Sequence, residues 1–108
     1  MNKYINDEGK VGVLISTDFG AGWSTWCSDE NGMSEFMLMD KTLVQMCIDG
    51  ATEEEVGEYL KSVSSEYAYL GGWKNCKVFF IDIGTRFTVN EYDGRESLVT
   101  VIDMPFTA

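Results

Sequence analysis

Residues 77–102, KVFFIDIGTRFTVNEYDGRESLVTVI, decide the fold. The segments 77–82, 85–91 and 97–102 are rich in β-branched and aromatic side chains and read as three strands. Phe87, Val89 and Glu91 alternate with Arg86, Thr88 and Asn90, the period of a half-exposed strand. Asp93-Gly94 is the dipeptide of a two-residue hairpin whose central residues both need positive φ. Ile83-Gly84 marks a second tight turn, so the three segments are expected to form a C-terminal antiparallel meander.

Upstream, residues 11–17 (VGVLIST) read as a buried strand, followed by a glycine-bearing bend over residues 18–26 and a polar turn over residues 28–32. Residues 35–39 (EFMLM) read as a short strand. Two helices come next. Asp40 is a good N-cap, Leu43, Val44, Cys47 and Ile48 recur at helical spacing, and Gly50 sits where a C-terminal glycine belongs. Thr52 with Glu55 forms a capping box for the second helix, whose apolar stripe is Val56, Tyr59, Leu60 and Val63. An N-terminal strand, two central helices and the meander make a single α+β domain over residues 1–108.

The 108 residues carry 18 acids against 8 bases, a net charge of −10. Such a chain does not bind nucleic-acid backbones by counterion release and is repelled by anionic membranes. It suits a basic partner, although an acidic surface also serves plain solubility. Histidine is absent, which removes Ser-His-Asp and Cys-His catalysis and the commonest metal ligand. No apolar run is long enough to span a bilayer, and the polar start reads as neither a signal nor a transit peptide. With three cysteines, an odd number, the expectation is a reducing cytoplasm and free thiols.

Cys27, Cys47 and Cys76 lack any CxxC spacing, and each has apolar neighbours, so buried thiols are the ordinary reading. Three thiolates and an acid would nonetheless complete a tetrahedral structural zinc site without histidine. Gly20-Ala-Gly22 is not a nucleotide fingerprint, because the third glycine position is Thr25. The bend either packs Trp23 and Trp26 into the core or presents them to a ligand, with Arg86, Arg95 or loop N–H groups as anion donors. Asp18 and Asp93 are the best-placed acids for acid/base work, but no spacing brings them together.

The order of Gly20-Ala-Gly-Trp-Ser-Thr-Trp26, Gly71-Gly72 and Glu91-Tyr-Asp-Gly94 resembles a family of small acidic proteins encoded by phages and prophages. The resemblance runs from Val13 to about Leu98. Cys27 stands where the family has asparagine and Cys76 where it has an aliphatic residue, so the cysteines belong to this branch. By analogy, since such families include anti-defence proteins, the chain is similar to small acidic inhibitors of Cas9. The expected function is therefore non-enzymatic: an anti-CRISPR protein in the host bacterial cytoplasm that blocks Cas9 by competing with nucleic acid at its positive channel. Residues 29–66 hold ten acids and two lysines, which makes Asp29, Glu30, Glu53, Glu54, Glu55 and Glu58 the expected partner-binding residues. The competing expectation is a protein that sequesters a nucleotide signal at the Gly-Trp loop through Trp23, Trp26, Arg86 and Arg95.

Overall fold

The computed structural model describes residues 2–27, 33–63, 70–100 and 106–108. The expected turn over 28–32, together with Asp29 and Glu30, lies outside them. Strand β1 (Lys10–Ser16) is followed by helices α1 (Met33–Met39), α2 (Lys41–Asp49) and α3 (Glu53–Val63), then by strands β2 (Cys76–Asp82), β3 (Arg86–Tyr92), β4 (Arg95–Thr100) and β5 (Phe106–Thr107). The class is α+β, with antiparallel strands and a three-stranded sheet at the C-terminus, as expected.

The β1 run is continuously apolar because both of its faces are buried. Val11, Val13 and Ile15 pack with Leu38, Met39 and Phe87 in one apolar cluster. Leu14, on the opposite face, joins Trp23, Met37, Leu43, Val44, Val56, Leu60 and Trp73 in the other. A Cβ at Gly12 would lie 2.8 Å from Val44 Cγ1, so α2 rests directly on the strand there. The β1–β2 ribbon thus has α2 and α3 on one side and the Phe87 face of the C-terminal sheet on the other, while α1 reaches both clusters.

Strand membership departs from the expected meander. β2 pairs along its whole length with β1, from Lys10 opposite Asp82 to Ser16 opposite Cys76. The sheet at the C-terminus has the order β4-β3-β5. Gly84 does make the tight turn, with φ +88°, and Thr85 N–H donates to Asp82 O at 3.1 Å. The chain then diverges because the C-terminus fills the place β2 would have taken. Gly84 N–H donates to Ala108 O at 2.7 Å, Ala108 N–H donates to Thr85 O at 2.9 Å, and Phe106 pairs with Phe87. Both edges of β3 are therefore occupied, by β4 and β5. The Asp93-Gly94 hairpin forms as expected, with φ of 51° and 87° and Tyr92 opposite Arg95.

Among the described residues, the helical region holds three helices rather than two. Residues 35–39, expected as a strand, belong to α1. Methionine, leucine and glutamate lose little rotamer freedom in a helix, and the segment has no β-branched residue. Met33 and Met37, one turn apart, enter one cluster, while Leu38 and Met39 enter the other. Asp40 then caps α2, its carboxylate accepting from Leu43 N–H at 3.1 Å, and Gly50 ends that helix at φ 76°. The same carboxylate accepts from Tyr59 O–H at 2.8 Å, which ties α2 to α3. Burial is the main cause that raises the Tyr59 phenol above its ordinary pKa.

The capping box of α3 is complete. Thr52 N–H donates to Glu55 Oε1 at 2.9 Å, and Glu55 N–H donates to Thr52 Oγ1 at 3.1 Å. The Thr52 N–H bond, with a second from Thr52 Oγ1 to Glu55 Oε1 at 3.1 Å, holds the Glu55 carboxyl below the usual carboxylate range. Val56 and Leu60 are buried and Tyr59 packs against them, but Val63 and Ile48 are about half exposed, because each lies in the last turn of its helix, beyond the core. Leu60→Ala is therefore expected to cost about 2–5 kcal/mol in urea denaturation, and Val63→Ala less than about 1 kcal/mol. Equal losses would place the wrong residue in the core.

Candidate functional site

The segments GAGWSTW, GG and EYDG, far apart in the chain, meet at one place. Glu96 of β4 is 3% exposed and its carboxylate points into the bend after β1. Oε1 accepts from Ser16 N–H at 2.9 Å. Oε2 accepts from Trp23 N–H at 2.9 Å, from Thr25 N–H at 3.1 Å and from Thr25 Oγ1 at 2.5 Å. The bend thus presents a concavity of N–H donors, the kind of site that binds an anion, and the chain supplies the anion itself. Glu96 was not among the expected site residues. Its sequence signal was a glutamate on a strand directly across the hairpin from another, Glu91, a pairing that destabilises unless both find donors. Glu91 Oε2 accepts from Gly94 N–H at 2.7 Å and from Trp26 Nε1 at 3.1 Å. Those two bonds hold its carboxyl below the ordinary range.

The glycines are contact points of the same joint. A Cβ on Gly94 would overlap the backbone of Ala21, and one on Gly72 would overlap the carbonyl of Gly22. Gly20 N–H donates to Asp93 O at 2.7 Å and Ser16 Oγ donates to Ala21 O at 2.8 Å. The bend is therefore pressed against the hairpin on one side and against the segment before β2 on the other.

Trp23 was expected as a candidate ligand platform, and the structure places it in the core. It is fully buried, its ring lies 5.4 Å from Trp73, and its Nε1 donates to Met37 O at 2.7 Å. Its indole cannot meet a ligand, because closing the joint buries it beneath the bend. Trp26 is 40% exposed beside the hairpin. Arg95 flanks the hairpin turn, whereas Arg86 begins β3 at its far end, about 20 Å away at the rise of a strand. One cleft therefore cannot use both arginines.

Above the joint, between the β1–β2 ribbon and the β3–β4 hairpin, lies a cavity of about 670 Å³. Its walls include Ile15, Phe19, Phe79, Tyr92 and Leu98, with Arg95 at the edge. Phe19 and Tyr92 are exposed and meet edge to face at 6.3 Å, and the Arg95 guanidinium sits 5.5 Å above the Phe19 ring.

Of the other expected site residues, Glu53, Glu54, Glu55 and Glu58 are all exposed on α3. Glu55 is engaged in the cap, and Glu58 makes an exposed ion pair with Lys61 at 3.8 Å, a geometry of small energetic weight. Among the thiols, Cys47 Sγ donates to Cys76 O at 3.5 Å, and Cys27 packs against the same apolar cluster. Burial raises both Cys47 and Cys76 above their ordinary pKa, which disfavours the thiolates that zinc requires. Among the described residues, no three Cys, Asp or Glu side chains group as metal ligands. No described helix is long and apolar enough to cross a membrane.

No protein-family model, curated protein or solved structure matches the chain.

Proposed function

We propose that the chain is a non-catalytic binding protein of phage or prophage origin that inhibits a host CRISPR nuclease, Cas9, by docking an acidic helix on its nucleic-acid-binding surface. The observation that carries this reading is the row of exposed carboxylates on α3, Glu53, Glu54 and Glu58, opposed among the described ion pairs by Lys61 alone. A partner that normally holds phosphates offers the complementary field, and occupying it hinders guide or target loading. A non-catalytic role is supported by the lack of histidine and by the engagement of Glu91 and Glu96 in the joint, which leaves neither poised for acid/base work.

Reversing Glu54 and Glu58 to lysine is expected to weaken binding to guide-loaded Cas9 about tenfold or more at physiological salt, with the fold retained. Asp93→Lys, on the hairpin, is the matched control and should matter much less. Inhibition that survives the double reversal would reduce the helix charge to a solubility device. The second reading, a binder of a small ligand, is favoured by the cavity beside the Gly-Trp bend, where exposed aromatic rings and an arginine converge.

A further inference from the structure

The cavity above the joint has a definite chemistry, and the ligand class it selects rests on the small-ligand reading. Its volume of about 670 Å³ falls within the range that encloses small organic molecules. Three aromatic residues, Phe19, Phe79 and Tyr92, line it and are 55%, 41% and 77% exposed, so they offer aromatic surface beyond the Phe19–Tyr92 and Arg95–Phe19 contacts. Among the described residues, Arg95 is the one cation along its lining.

Arg95 has carboxylates for neighbours, yet no ion pair to it exists among the described residues. The reason is geometric. Glu96 turns inward to the Ser16, Trp23 and Thr25 donors, and Glu91 is drawn to Gly94 N–H and Trp26 Nε1. The guanidinium is left held over the Phe19 ring, 5.5 Å from its centre, with N–H donors to spare. The donors of the bend itself are not available to a ligand, because Glu96 already fills them. A polyphosphate needs several such donors together, and here it would also face the carboxylates of Glu91 and Glu96 in the lining. One arginine matches one anionic group.

We propose that this cavity binds a small aromatic molecule carrying a single anionic group, its ring system against Phe19, Phe79 and Tyr92 and its anion on the Arg95 guanidinium. The anion is a carboxylate, a sulfonate or a single phosphate, and the aromatic body supplies most of the contact area. This excludes the di- and triphosphates that a loop with open N–H donors would favour.

The test uses the intact protein and two fluorescent probes of the same shape, anilinonaphthalene sulfonate, which is anionic, and phenylnaphthylamine, which is neutral. The expected result is saturable binding of the sulfonate at one site per chain, weakened about tenfold or more by Arg95→Gln and partly restored in Arg95→Lys. The neutral probe should bind more weakly, ignore Arg95→Gln and be lost with Phe79→Ala. Thermal unfolding and circular dichroism of each variant establish that the fold is retained. A competition series with benzoate, phenyl phosphate and a nucleoside triphosphate should displace the sulfonate with the first two and not with the third. Binding of both probes that is indifferent to Arg95 overturns the anionic class while leaving a small-ligand cavity in place. Binding of neither probe overturns the small-ligand reading as well. The Glu54→Lys, Glu58→Lys protein should bind both probes as the wild type does, so this result is independent of nuclease docking.

Discussion

Glu96→Ala should unfold at markedly lower urea concentration than the wild type, with a loss of about 3–5 kcal/mol. The substitution leaves the buried N–H groups of Ser16 and Trp23, and the part-buried N–H and hydroxyl of Thr25, without their acceptor. A buried donor left unpaired costs about 1–3 kcal/mol, and water entering the vacated space recovers part of the sum. Glu96→Gln keeps the volume and one acceptor oxygen but turns an amide NH₂ toward groups that are themselves donors, so a loss of about 2–3 kcal/mol is expected. Exchange of the Trp23 and Thr25 amides with deuterium should accelerate in both variants, while amides at the centre of α2 change only with global stability. A loss below about 1 kcal/mol for Glu96→Ala would mean that the bend is held by its glycine contacts alone.

The second large effect is expected at Gly94. Its φ of 87° disfavours any L side chain, and a Cβ there overlaps the Ala21 backbone, which cannot swing away as a flexible side chain can. Left-handed strain contributes about 1–2 kcal/mol and the forced separation of hairpin and bend about 1–3 kcal/mol more, so Gly94→Ala should cost about 2–5 kcal/mol. Gly9 is the control. It has φ 76° but nothing within 4 Å of the added carbon, and Gly9→Ala should cost only the conformational part, about 1–2 kcal/mol. Chemical denaturation of the two proteins separates the terms. Equal losses would show that the hairpin and the bend do not press on one another.

Together these variants probe the joint at which the segments GAGWSTW, GG and EYDG meet. Trp23, Gly72, Gly94 and Glu96 build the joint between bend and hairpin. Exposed side chains outside the joint are those of Phe19, Tyr92 and Arg95 at the cavity and of Glu53, Glu54 and Glu58 on α3. In the functions proposed above, recognition falls to these exposed residues, and the integrity of the surface that carries them to the joint.

Local signals determined much of this protein. The Asp93-Gly94 hairpin, the Asp40 cap, the Gly50 terminus and the Thr52–Glu55 capping box form where they were expected, because each is satisfied by residues a few positions apart. The stripe of α3 holds for Val56 and Leu60 for the same reason of period, and ends before Val63 because only the packed layer says how far the core extends. A segment such as residues 35–39 is short enough to suit strand or helix, and contact with two apolar clusters selected the helix. Only the tertiary structure decided which strands pair. β2 reads as the neighbour of β3, yet β1 claims it, and the C-terminal residues take the vacant edge. The same holds for the candidate site. Whether Trp23 meets a ligand or the core, whether Glu96 is solvated or buried, and whether Arg95 finds an ion pair depend on contacts between distant residues, such as that of Trp23 with Met37, 14 positions apart, and that of Glu96 with Trp23, 73 apart. Hydrogen-bond donors recruit their acceptors by position in space, so the pairing of Glu96 with Glu91 across the hairpin signals that donors are needed but not which residues supply them.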